Sequence, residues 1–202
     1  MRIHILQIEW QCTIFFAPVI SAYRSSHSAR NYNCYHDTAK GEPYICTMKI
    51  LMVCLGNICR SPLAEGILQK KALEAGLGWE VHSAGTNQYH IGSAPHPLSQ
   101  KVAQLNGIDI SEQRARRIHH GDMDDFDVIY AMATDVLEDI KEITGSAFRA
   151  DKVKLFMHEH PKTNITDVPD PWYGDESGYH EVYQLIDDVC NQIIQTYKST
   201  AK

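Results

Sequence analysis

The sequence has no apolar run of the roughly 18 residues that a membrane-spanning helix needs, so none is expected. It also lacks an excess of basic residues. Its 19 Lys+Arg stand against 25 Asp+Glu, for a net charge of -6. That balance excludes a protein that holds nucleic acid through general positive charge. There is no Cys-x-x-Cys and no His-Glu-x-x-His, so the common zinc spacings are missing. Gly-Lys-Ser/Thr is missing too, which excludes an ATP-type phosphate loop. No internal repeat or low-complexity tract occurs. Cysteine is scarce for a secreted disulfide scaffold: six in 202 residues, namely Cys12, Cys34, Cys46, Cys54, Cys59 and Cys190. Free thiols are the remaining reading, and one of them can be reactive.

What is present is ordinary globular material, 44% hydrophobic and 22% charged, enough for one domain with an extension. Composition changes near Met48. Residues 1–47 are the extension and 48–202 the domain. The extension carries Arg2, Arg24, Arg30 and Lys40 against Glu9, Asp37 and Glu42, a charge of +1, which leaves -7 of the -6 total to the domain. It shows no clear periodicity and is expected to be poorly ordered, with Met48 as the functional start. Arg2 and the apolar patch from Thr13 to Ile20 imitate a signal peptide, but Glu9 and Gln11 interrupt the approach and the patch is short.

From Lys49 onward the chain alternates strand and helix. Lys49–Cys54 is a short apolar run suited to a buried parallel strand. Pro62 opens a helix to about Ala75, with Gly76 as its stop. Trp79 to Ser83 reads as a second strand and 97–105 as a helix. Phe126 to Met132 reads as a third strand, Asp135 to Ile143 as a helix and Val153 to Met157 as the fourth strand. A last helix runs from Tyr179 to Tyr197, with Val182, Leu185, Ile186, Val189, Ile193 and Ile194 on one face. This alternation predicts an α/β fold: a four-stranded parallel sheet in three layers, with helices on both faces.

The chemistry concentrates where the first strand meets the first helix, in Cys54-Leu55-Gly56-Asn57-Ile58-Cys59-Arg60-Ser61-Pro62. Ligands of open α/β sheets bind at the carboxyl ends of strands, where helix N-termini point. A loop there offers backbone N–H groups and the helix adds partial positive charge. Gly56 and Asn57 can supply the positive φ that turns several N–H groups inward to cradle a tetrahedral oxyanion. The Arg60 fork matches two phosphate oxygens. The same dipoles and guanidinium favour Cys54 as a thiolate beneath the anion, and Ser61 can hydrogen-bond that sulfur.

This loop resembles that of the low-molecular-weight protein tyrosine phosphatases. Cys54 to Arg60 matches the family's Cys-x5-Arg, and the match continues through Ser61, Pro62, Ala64 and Glu65. A second block, Asp170-Pro171-Trp172-Tyr173-Gly174, matches downstream. Between them, Ser83-Ala84-Gly85-Thr86 and Gly107-Ile108 also look like family segments. The resemblance spans about residues 48 to 198 and implies the family's flavodoxin-like phosphatase fold.

It implies a hydrolase working in two steps. Cys54 attacks phosphorus to form a phosphocysteine. Arg60 and the loop residues Leu55, Gly56, Asn57, Ile58, Cys59 and Ser61 bind the phosphoryl oxygens. Asp170 is the general acid for the leaving phenolate and then the base for water. Tyr89, Trp172 and Tyr173 resemble the aromatic walls of the family's cleft, suited to an aryl phosphate. Ile58 stands where related arginine phosphatases look to have Thr, which favours phosphotyrosine. The resemblance also suggests Cys59 as redox partner of Cys54. Cys190 reads as core.

The implied partners are phosphotyrosine-containing proteins or small aryl phosphates, with no nucleic acid and no membrane, for a cytoplasmic monomer or weak dimer. No cofactor or metal is expected: Asp122, Asp124 and Asp125 read as an acidic solvated turn, and His119-His120 as surface. Two departures stand out. The family's Met-Asp after the third strand is here Met132-Ala133. A His often found near Ser111 to Arg117 is absent, with Gln113 nearby, so Asn57 is expected to be held differently. An arsenate reductase of the same fold would need further cysteines, and none lies between Cys59 and Cys190. A non-catalytic phosphotyrosine-binding module would keep Arg60 and lose Cys54 or Asp170; both are present.

Overall fold

Two short strands, β1 (Asn33–Tyr35) and β2 (Ile45–Thr47), pair antiparallel ahead of the main sheet. The computed structural model describes residues 33–35, 45–160 and 164–200. The disorder expected of 1–47 therefore falls mostly on residues outside those described. The pairing of β1 with β2 shows no periodicity signal because three-residue strands are too short to alternate visibly.

The domain is built on β3 (Lys49–Cys54), α1 (Arg60–Glu74), β4 (Glu80–Gly85), α2 (Pro97–Leu105), α3 (Asp122–Asp125), β5 (Val128–Ala131), α4 (Thr134–Thr144), β6 (Val153–Leu155) and α5 (Glu176–Thr200). The parallel sheet has the order β4-β3-β5-β6. β3 is central, and its five residues after Lys49 are all buried, as a strand covered on both faces requires. Ile50, Met52 and Cys54 join a core with α1, α2 and α5, while Leu51 and Val53 join a second core with α4. The three layers follow from that alternation.

Most elements lie within one to three residues of their sequence-based positions. The fourth strand is shorter, because Phe156–Glu159 turns into a 3-10 helix after Leu155. The last helix is longer at both ends. The connection order places a switch point between β3 and β5, where successive crossovers leave in opposite directions. The carboxyl end of β3 therefore opens into a crevice. Among the described residues, no helix is long and apolar enough to cross a membrane.

Candidate active site

β3 ends at Cys54 and α1 begins at Arg60, so residues 55–59 must reverse direction within one short loop. The loop closes into a cup because its carbonyls are taken from outside. Thr86 N donates to Cys54 O at 3.0 Å, Asn87 N to Leu55 O at 3.0 Å, and His96 N to Ile58 O at 2.7 Å. With those carbonyls bonded on the outside, a loop of this kind can offer N–H groups to an anion on the inside. The first turn of α1 holds no acidic residue and no side chain caps it, which keeps its positive end available.

Asn57 takes the left-handed conformation, with φ 54°, while Gly56 stays outside that region. The expectation that both residues supply positive φ is thus corrected: Asn57 alone does so in this loop. Its side chain explains the choice over glycine. Nδ2 donates to Ser61 Oγ at 2.9 Å and to Ser83 Oγ at 2.8 Å, and Oδ1 accepts from Arg116 N at 2.9 Å. Asn57 is therefore held without the missing His. Gln113 instead reaches the Pro62 carbonyl at 3.3 Å.

Gly85, opposite Cys54 in the sheet register, makes room for this cup. A Cβ there would lie 2.8 Å from Leu55 O and 3.1 Å from Asn57 N. Those distances are closer than a methyl group tolerates.

Cys54 lies at the floor, 2% exposed. Its sulfur accepts from Asn57 N at 3.2 Å and lies 3.1 Å from Ser61 Oγ. Arg60 is buried and reaches across the cleft. Nη2 lies 2.7 Å from Asp170 Oδ2, and Nη1 donates to Val168 O at 3.2 Å. Asp170 also caps the 3-10 turn Pro171–Tyr173, accepting from Trp172 N at 3.1 Å.

The cleft has a volume of about 270 Å³. Cys54, Leu55, Gly56, Ile58, Cys59 and Arg60 form its floor, and Asp170, Tyr89, Trp172 and Tyr173 its walls. The sequence-based site residues are thus brought together, with Asn57 and Ser61 just behind the floor. Tyr89 and Tyr173 stand on the rim, 85% and 93% exposed.

Cys59 faces the Tyr179 hydroxyl at 3.7 Å. Burial pushes its thiol up to about 11, against the smaller opposing effect of the Tyr179 hydrogen bond. Cys190 is fully buried in α5.

Sequence reasoning missed two histidines. The rings of His90 and His96 lie 5.6 Å and 5.3 Å from that of Trp172, and His96 stacks on Tyr179 at 5.2 Å. His96 also caps α2, accepting from Leu98 N, and burial lowers its pKa. His96 directly precedes the helix read over 97–105, and nothing local points from it to Trp172.

The acidic turn also differs from expectation. Asp122 is 2% exposed rather than solvated, and its Oδ2 accepts from His119 N and Arg116 Nη1. A carboxylate bonded in this way folds the turn beneath Arg116. Among the described residues, no three His, Cys, Asp or Glu gather as a metal site would require.

Residues 49–202 match the family model for low molecular weight phosphotyrosine protein phosphatase. The chain is 36% identical over 149 residues to the low molecular weight protein-tyrosine-phosphatase YfkJ of Bacillus subtilis, covering 73% of this chain and 94% of that protein. The crystal structure of YfkJ aligns at a TM-score of 0.71 with 33% identity, over 77% of this chain and 98% of that one. Vibrio vulnificus Wzb, solved in complex with benzylphosphonate, aligns at 0.66 with 28% identity, over 74% and 98%.

Proposed function

The chain belongs to the low molecular weight phosphotyrosine protein phosphatase family, and on that premise we propose that this phosphatase cleaves aryl phosphate monoesters, phosphotyrosine above all, through a phosphocysteine. The observation that carries the assignment of roles is the convergence of Cys54, the loop N–H groups, Arg60 and Asp170 on one cleft.

Cys54 thiolate attacks phosphorus and the phenolate oxygen leaves. As charge spreads over the equatorial oxygens, the loop N–H groups and Arg60 receive it. Asp170 stands on the opposite wall, where it gives its proton to the leaving oxygen. In the second step it takes a proton from water, which attacks the phosphocysteine and frees phosphate and Cys54. Ser61 Oγ, 3.1 Å from the sulfur, can donate to it and make it a better leaving group in that step. Aromatic walls accept the ring, and Ile58, buried and apolar in the loop, gives no partner to a guanidinium.

Cys59 is proposed as the redox partner of Cys54, since both thiols line the same cleft. A monomer or weak dimer suits a cleft built wholly from one chain. A reducing compartment such as the cytoplasm suits a nucleophile that must stay a thiolate. The arsenate-reductase reading loses further support, because Cys190 is sealed in the core.

The test is hydrolysis of p-nitrophenyl phosphate and of a peptide panel carrying phosphotyrosine, phosphoserine or phosphoarginine. Wild type is expected to favour phosphotyrosine, Cys54→Ser to be inactive, and Ile58→Thr to raise the phosphoarginine share. A wild type that binds phosphotyrosine peptide without turnover would sink the proposal in favour of a binding module.

A further inference from the structure

Helix α4 starts without a cap of its own. Ala133 occupies its N-cap position in extended conformation, with φ -154°, and offers no side-chain acceptor. The acceptor comes from a distant part of the chain. Asp167 Oδ1 accepts from Thr134 N at 2.9 Å, and Oδ2 accepts from Thr134 Oγ1 at 3.0 Å. Both oxygens of one carboxylate are thus committed to a single residue at the positive end of a helix.

The segment that leaves this anchor is stiff and short. Val168, 1% exposed, donates its N–H to Met132 O at 2.8 Å, and its own carbonyl accepts from Arg60 Nη1. Pro169 and Pro171 follow, so φ is fixed at both, and Val168 and Asp170 are pushed to extended backbone. Asp170 is indeed extended, with φ -88° and ψ 113°. Two residues separate the two aspartates, three steps and about 10 Å of chain at full extension. A strut this stiff transmits the position of its first residue to its last.

We propose that Asp167 is a positioning residue for Asp170: it caps α4 from outside the helix and, through Val168-Pro169, sets where the general acid sits over the cleft. The inference rests on the reading of Asp170 as general acid. In this arrangement one carboxylate serves two ends. The helix gains its missing cap, and the acid loop gains a fixed foot beside the carboxyl ends of β5 and β3.

The experiment compares kcat/KM for phenyl phosphate, whose phenolate needs a proton, with that for 2,4-dinitrophenyl phosphate, whose leaving group does not. Four full-length variants are compared with wild type. Asp170→Ala is expected to lower the phenyl-to-dinitrophenyl ratio about a hundredfold, which establishes the acid. Asp167→Ala is expected to lower the same ratio about tenfold, as a small displacement of a catalytic group does. Asp167→Asn keeps an acceptor for Thr134 N and is expected to stay within about threefold of wild type. Asp167→Ala with Ala133→Asp restores the cap from within the helix. Its thermal midpoint is expected to recover while its ratio stays low.

If Asp167→Ala fails to fold, the double variant carries the comparison alone. An unchanged ratio in folded Asp167→Ala, or in the double variant where that one does not fold, overturns the proposal, as does a ratio that recovers together with the thermal midpoint, since either leaves Asp167 as a helix cap only. An unchanged ratio in Asp170→Ala overturns the general-acid reading itself, and the positioning role with it.

Discussion

Arg60 Nη2 lies 2.7 Å from Asp170 Oδ2, across 110 residues of sequence. The group proposed to bind the phosphate dianion is therefore already paired with the group proposed to protonate the leaving oxygen. An incoming anion competes with Asp170 for the guanidinium and also meets the carboxylate's own charge. Asp170→Ala removes both obstacles while removing the acid. The expected result is a fall in turnover together with a fall in the inhibition constant of inorganic phosphate. The latter is about fivefold, equivalent to ~1 kcal/mol for a partly exposed pair. Competitive inhibition measured on both proteins checks it; weaker phosphate binding by the variant contradicts the competition.

Cys59 and Cys54 line one cleft in different surroundings. Burial holds the Cys59 thiol up at about 11, while the Cys54 sulfur accepts a hydrogen bond from Asn57 N in the loop proposed to carry the nucleophile. Iodoacetamide at pH 7 is expected to label Cys54 first, and phosphate is expected to protect it; peptide mapping reads both. Peroxide converts Cys54 to the sulfenic acid, and attack by the Cys59 thiol then releases water and forms the disulfide. Cys59→Ser should therefore lose the activity that a reducing thiol restores after peroxide. Full recovery in that variant argues against the redox role.

Asn57 combines a strained conformation with three hydrogen bonds. Asn57→Ala loses both advantages, and Asn57→Gly loses only the bonds. Both variants are expected to lose about a hundredfold in kcat/KM as the cup loosens. The Gly variant should be the more stable of the two by ~1 kcal/mol, the cost of left-handed alanine. Chemical denaturation measures that difference, and equal stabilities would show that φ at this position costs nothing.

Glu65 sits on α1, half-buried, and its pKa is raised, chiefly by burial. Hydrogen bonding from Ser83 and the charge of Arg116 oppose the shift without cancelling it. A carboxyl whose folded pKa lies above its unfolded value contributes most stability while protonated in both states. Its contribution is complete below the model value of 4.5 and is lost as pH rises through the folded pKa. Glu65→Gln stays neutral throughout. The thermal midpoint of the variant minus that of wild type should therefore increase as pH is raised from 4 to 7. A difference that shrinks over that range reverses the sign.

The sequence made legible the parts of the site that are local. Cys54 and Arg60 share one loop, so spacing alone relates them. The sheet strands and helices follow from apolar runs and helical periodicity. Asp170 was legible through its Asp-Pro-Trp-Tyr-Gly motif, although nothing near it in sequence reveals Arg60. What stayed hidden acts across the fold. The backbone N–H of Arg116 holds Asn57 across 59 residues, and main-chain donors carry no residue signature. His90 and His96 bracket Trp172 only because two loops meet there. Asp122 looks like any surface acid until the turn closes over it. The loss of an acid at Ala133 was visible in the sequence. The carboxylate that Asp167 brings to Thr134 was not, because the two residues lie 33 positions apart in the sequence.

Gly85 gives this site an unusual genetic profile. Its N–H and carbonyl are pinned by Arg116 O and Ile118 N, so the backbone cannot retreat from an added methyl group that would press on Leu55 and Asn57. A screen of random substitutions is therefore expected to recover position 85 among dead clones as readily as Cys54, though glycine brings no group to the reaction. Phosphate binding separates the two classes of clone. On the proposed mechanism a Cys54 substitution empties the cup of its nucleophile and is expected to leave it able to hold the anion, whereas a Gly85 substitution deforms the vessel itself.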